Sequence, residues 1–130
     1  MSESEAVLAR ARACVGARFR TQGRDPALGL DCVGLAAAAL GREARGGYAM
    51  RFGDAAAVGA MIDAAGLARV EEARAGDLLL MRSGPGQLHL AIRSEDGIIH
   101  ADAAARRVTE RPGDAPWPVI GVWRVRNMSV

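Results

Sequence analysis

The sequence predicts an α+β domain with an antiparallel sheet, and three observations carry that expectation. Apolar residues at helical spacing occupy the first half of the chain. Short runs rich in Leu, Ile and Val, the composition of strands, occupy the second half. Turn signals such as Ser83 to Gly86 and Asp96-Gly97 punctuate those runs at close intervals. Helices first and neighbouring strands afterwards is the order of an α+β architecture.

Ser2 and Glu5 have the spacing of a capping box, in which each side chain satisfies the other residue's free backbone N–H. Behind them Val7, Leu8, Ala11, Cys14 and Val15 share one face of a helix that ends near Gly16. The stretch "RFRTQGRDPALGL", residues 18–30, carries Gly23, Pro26 and Gly29 and reads as a loop. Asp31 caps the next helix, "CVGLAAAAL", whose apolar residues run around most of its circumference and predict burial on several sides. Asp54 opens another, with Val58, Met61, Ile62 and Ala65 at amphipathic spacing and Gly66 as its stop. Strands are then expected at "DLLLM", "HLAIRS", "GIIHAD", "RRVTE" and "VIGVWRV". Gly76 and Asp77 form the turn into the first of these, with Asp77 serving backbone amides, and Trp117 and Trp123 are expected as packing anchors.

Composition narrows the function classes. A chain of 130 residues is one domain, 1–130, able to bury roughly two-thirds of the surface its unfolded form exposes. Half of it is hydrophobic but only 4% aromatic, so the core is built from Ala, Val, Leu and Ile. The net charge of +2 comes from arginines scattered among acids, Arg18, Arg20 and Arg24 included, which is a solvated surface and not a nucleic-acid footprint. "MSESEAVLAR" lacks the basic start and apolar core of a secretory signal, and no segment approaches the roughly 20 apolar residues of a membrane span. The expectation is synthesis in the cytosol, where the two cysteines are reduced.

Cys32 stands at the head of the central helix, where unpaired amides and the helix dipole favour a thiolate. Asp31 opposes this by like-charge repulsion unless its carboxylate is turned onto the helix amides. Two readings stay open: a prepared nucleophile, or a small buried hydrophobe such as mid-helix Cys14, which belongs to the core. The two histidines, His89 and His100, fall in consecutive strands. With the turn centred between Glu95 and Asp96, His100 stands opposite Ala91 and diagonal to His89 on the same face. The small Ala91 between them suits a helix head packing on that face. With a tight two-residue turn at Asp96-Gly97, His100 pairs with Arg93, roughly 13 Å along the strand from His89. Only the first register assembles a nucleophile, a base and an orienting group. Zinc is not expected, because Cys14, Cys32, His89 and His100 match no ligand spacing.

"GLDCVGL", "AGDLLLM", "HLAI" and "IIHA", in that order from Gly16 to about Trp123, resemble the NlpC-type family of cell-wall cysteine peptidases. The resemblance implies a papain-like α+β fold with the nucleophile helix packed on a small antiparallel sheet. It implies Cys32 as nucleophile, His89 as base and His100 as the residue fixing the base's tautomer, with no metal or other cofactor. The substrate it implies is the peptidoglycan stem peptide, often cut between D-γ-glutamate and a diamino acid. Asp31 would meet a free substrate amine, and the Cys32 amide would help bind the oxyanion.

Two positions depart from the family pattern. Phe19 stands where a tyrosine is usual, and Val33 follows the nucleophile where serine is frequent, so a substrate hydrogen bond is in doubt; Gln22 is a substitute donor. Small stand-alone members resembling this chain serve phage-tail-like particles, which implies tail proteins as partners and delivery to the wall by a particle, with neither nucleic acid nor membrane. Two other readings remain: a catalytically inactive structural tail module of the same fold, and a thiol-dependent amidase or acyltransferase.

Overall fold

The computed structural model describes residues 1–43 and 53–126. Helix α1 spans Glu3–Ala13 and starts with the expected capping box, Glu5 N–H donating to Ser2 Oγ at 3.1 Å. Val7, Leu8, Ala11 and Cys14 are buried, but Val15 is 43% exposed. The helix stops at Ala13, short of Gly16, because the Gly16 N–H leaves the helical pattern to bond Val108 O at 2.9 Å. That turn swings Val15 outward.

The segment read as a loop holds a tiny hairpin, β1 (Arg24–Asp25) and β2 (Gly29–Leu30), with Arg24 opposite Leu30. Asp25 closes it by accepting the Ala27 N–H at 2.9 Å, a side-chain turn invisible to strand periodicity. Helix α2 is Cys32–Leu40, capped by Asp31 and ended by Gly41 in the left-handed region. Helix α3 is Ala55–Ala64, capped by Asp54 as expected.

The strands are β3 (Ala68–Arg69), β4 (Leu78–Gly84), β5 (Gln87–Arg93), β6 (Gly97–Asp102), β7 (Arg107–Pro112) and β8 (Val119–Arg124). They form one antiparallel sheet in the order β3-β8-β4-β5-β6-β7, so the last strand returns to pair with β4, Leu78 opposite Trp123. β3, only two residues long, has no sequence pattern of its own and exists as an edge on β8. Each strand alternates its side chains between two faces. Leu78, Leu80, Leu88, Leu90, Ile92 and Ile99 face the helices and pack with Val7, Leu35, Ala36, Ala39 and Ile62. Leu35 is wholly buried, worth about 2 kcal/mol on that face. Leu79, Met81, Ala91, Ile98 and Val122 point the other way, where Val70, Ala115 and Trp117 cover them.

Asp77 is wholly buried at the entry to β4. It accepts from the Arg74 N–H, as a turn residue should, and also from Nε and Nη2 of the Arg124 guanidinium at 2.9 and 2.8 Å. Trp123 is a packing anchor, 1% exposed, its indole N–H on Asp63 at 2.9 Å. Among the described residues no helix is long and apolar enough to cross a membrane.

Candidate active site

The head of α2 is held by Asp31, whose carboxylate accepts three donors. Gly34 N–H and Arg24 Nη1 reach Oδ1 at 2.8 and 2.7 Å, and Gln22 N–H reaches Oδ2 at 2.9 Å. Gly34 is dictated by contact: a Cβ there would run into the Gly23 carbonyl oxygen, so the first turn of α2 lies directly on the preceding loop. Cys32, the first residue of the helix, is half-buried and reduced.

Two main-chain pairs, Ile92–Ile99 and Arg93–Ile98, join β5 to β6. That register centres the turn between Glu95 and Asp96, the alternative that brings the histidines together. Ser94 fixes it, its N–H donating to Gly97 O and its Oγ accepting the Gly97 N–H, both at 2.9 Å. Arg12 of α1 braces the same tip by ion pairs to Glu95 and to Glu110 of β7. Past Ile92 and Ile99 the main-chain ladder stops, and the strands are bridged instead by side chains: His89 Nε2 and His100 Nδ1 are 2.9 Å apart. The rings meet edge to face, centroids 5.1 Å apart.

The head of α2 packs against β5, where the Leu90 backbone, next along the strand from His89, lies close enough to the Cys32 thiol to lower its pKa. The helix head therefore meets β5 where its pairing with β6 has ended. The helix does not pack on the Ala91 face, contrary to the expectation from that residue's small size. Ala91 lies with Ile98 and Met81 under Val70, Ala115 and Trp117, while α2 covers the Leu88, Leu90 and Ile92 face. Ala91 points away from the helix because the pleated strand alternates its side chains between the two faces.

Burial sets the resting charges. It pushes the Cys32 thiol up to about 11; the Leu90 backbone opposes this and the Asp31 charge adds to it. Burial, and then the proximity of His100, hold His89 down to about 4. Burial also lowers His100, Asp102 opposing and Arg111 adding. Thiol and imidazoles are all neutral near pH 7, so the helix head does not by itself produce the thiolate that its position suggested.

Phe19 packs half-buried against the core and bridges to Leu30; Val33 packs half-buried at the same edge. Gln22 reaches the site through its backbone N–H, held at a positive φ of 58°, while the residue itself is exposed. Sequence reading missed two participants. Arg24 occupies the Asp31 carboxylate, and Trp117 covers the histidine pair, its ring centroid 5.2 Å from His89 and 6.0 Å from His100. The flanking prolines in "PWP" could have flagged Trp117 as a fixed projection instead of an ordinary anchor. Among the described residues no three His, Cys, Asp or Glu side chains gather as a metal would require.

No family model matches the sequence, and no curated protein matches it. Solved structures do. NlpC1 of Trichomonas vaginalis superposes with a TM-score of 0.70 at 18% identity, over 95% of this chain and 45% of that one. NlpC2 of the same organism gives 0.70 at 17%, over 95% and 48%, so the chain spans a little under half the length of these two. The NlpC/p60 domain of the peptidoglycan hydrolase SagA gives 0.64 at 27%, over 94% of this chain and 98% of that one. The helices laid on one face of an antiparallel sheet thus have counterparts over nearly the whole chain, and the fold is the papain-like α+β fold of the NlpC/p60 domains.

Proposed function

We propose that this protein is a cysteine endopeptidase of peptidoglycan stem peptides, cutting bonds of the D-γ-glutamyl to diamino acid type. One observation carries the reading: His89 is bound to His100 through Nε2, which leaves Nδ1 as its free basic nitrogen on the strand that the Cys32 helix packs against. A neutral thiol and a neutral imidazole react as nucleophile and general base. The Cys32 proton passes to His89 Nδ1 as the sulfur bonds the scissile carbonyl carbon. The imidazolium returns that proton to the leaving amine, and water then releases the acyl group from the sulfur. The free N–H groups in the first turn of α2 face developing negative charge, where one good donor is worth about 3 kcal/mol. Trp117, over the imidazoles, limits water. The 27% identity to a domain of a peptidoglycan hydrolase supports the choice of substrate.

Incubation with purified muropeptides, read by mass spectrometry, tests this reading. New free amines with the native protein and none with Cys32→Ala or His89→Ala are the expected result. A native protein whose thiol alkylates normally but which releases no amine overturns it. Delivery by a phage-like tail particle belongs to the same proposal and rests on the resemblance to small stand-alone members; sedimentation of the protein with tail particles tests it.

One observation favours a catalytically silent module of the same fold. Arg24 already fills the carboxylate of Asp31 to which the resemblance assigns the substrate amine. Cleavage by Arg24→Ala but not by the native chain would establish that second reading.

A further inference from the structure

His100 is 2% exposed, and its Nε2 is a buried nitrogen with no hydrogen-bond partner among the described residues. Proton bookkeeping makes that atom a donor. His89 must keep Nδ1 unprotonated to receive the thiol proton, so it carries its hydrogen on Nε2 and donates it to His100 Nδ1, 2.9 Å away. Neutral His100 then carries its own hydrogen on Nε2, pointing into the protein with nothing to accept it. Asp102, two residues along β6, has its carboxylate Oδ2 4.0 Å from that nitrogen. The carboxylate is oriented, because Oδ1 accepts the N–H groups of Ala104 and Ala105 at 2.9 and 3.2 Å and leaves Oδ2 toward the imidazole.

We propose that Asp102 is a positioning residue that fixes the tautomer of His100, and through it that of His89; this rests on the peptidase reading above. A separation of 4.0 Å is closed by a small carboxylate rotation or by one bridging water. During attack the proton leaves the Cys32 sulfur for His89 Nδ1. His89 Nε2–H strengthens its bond to His100 Nδ1, and His100 Nε2–H closes onto Asp102 directly or through the bridging water. No proton passes to Asp102, whose carboxylate offsets the imidazolium charge. The charged and titratable groups facing His100 are Asp102 on its own strand, His89 from β5 and Arg111 from β7. Without an acceptor at Nε2, neutral His100 has no reason to prefer the tautomer that leaves Nδ1 open.

Asp102→Asn tests this, since asparagine keeps an oxygen for the Ala104 turn and removes the charge. Nitrogen-15 NMR of the histidine rings should show His100 protonated at Nε2 in the native protein and a mixture of tautomers in the variant. Alkylation of Cys32 by iodoacetamide should slow about tenfold, and kcat on stem peptide should fall about tenfold with KM unchanged. A native His100 protonated at Nδ1 overturns the proposal even if the variant does not fold. So does a variant with unaltered tautomer and alkylation rate. Failure of the peptidase reading shows separately, as absent cleavage by the native protein while the tautomer and alkylation responses support Asp102.

Discussion

Acidification should unfold this protein earlier than its carboxylates alone would, and His89 supplies the reason. Its imidazole is held to about 4 against an ordinary 6.5, by burial first and by His100 second. Between those values the unfolded chain binds a proton that the folded chain refuses. Stability from this source is therefore complete above pH 6.5 and is lost as the pH falls toward 4. The gap between 6.5 and about 4 corresponds to about 3 kcal/mol in full, of which about three-quarters is gone near pH 4.5. Asp63, Glu95 and Glu110, held low by hydrogen bonds from arginine, lose their contribution only on further acidification, below the ordinary carboxyl range. His100 works in the same direction as His89, so the His89 share is read by difference from His89→Gln, whose amide can still meet His100. Urea unfolding followed by tryptophan fluorescence near pH 7, 5.5 and 4.5 is the assay. From neutral to acid pH the native midpoint should drop about 1 M further than the variant's. Parallel curves for the two proteins would refute the reasoning, since they would mean that His89 titrates as a free imidazole.

Asp31→Ala removes the cap on the Gly34 amide and should cost about 1 kcal/mol, seen as a melting temperature lower by about 4 °C. The same change takes away a charge that raises the Cys32 thiol, so the pH midpoint of its alkylation should fall. Gly34→Ala forces a methyl against the Gly23 carbonyl and should destabilise by about 1–3 kcal/mol in chemical denaturation. Arg124→Ala strands the wholly buried Asp77 carboxylate and should cost at least about 3 kcal/mol, partly recovered when Asp77→Asn is added.

Much of this molecule is legible in its sequence because local signals and tertiary demands agree. The capping pair Ser2 and Glu5, the caps Asp31 and Asp54, and the stop at Gly66 are short-range chemistry, and the helices begin or end beside them. The β runs lie within two or three residues of the strands that form, since alternation is enforced by two covered faces. Two-residue elements such as β1 and β3 leave no period to detect; their pairing comes from Asp25 and from the neighbouring strand β8. The histidine pair was legible only as a choice between two registers. Ser94 decides it by a reciprocal bond with Gly97, a tertiary detail that no periodicity encodes. Arg24 and Trp117 stayed hidden because an arginine or a tryptophan near a turn carries no local mark of what it will touch.

Trp117 comes from the connection between β7 and β8, whereas the histidines ride on β5 and β6. The roof above the imidazoles and the walls that hold them are thus supplied by separate parts of the chain. A longer, shorter or differently shaped connection would redraw the entrance while leaving the register of the hairpin untouched.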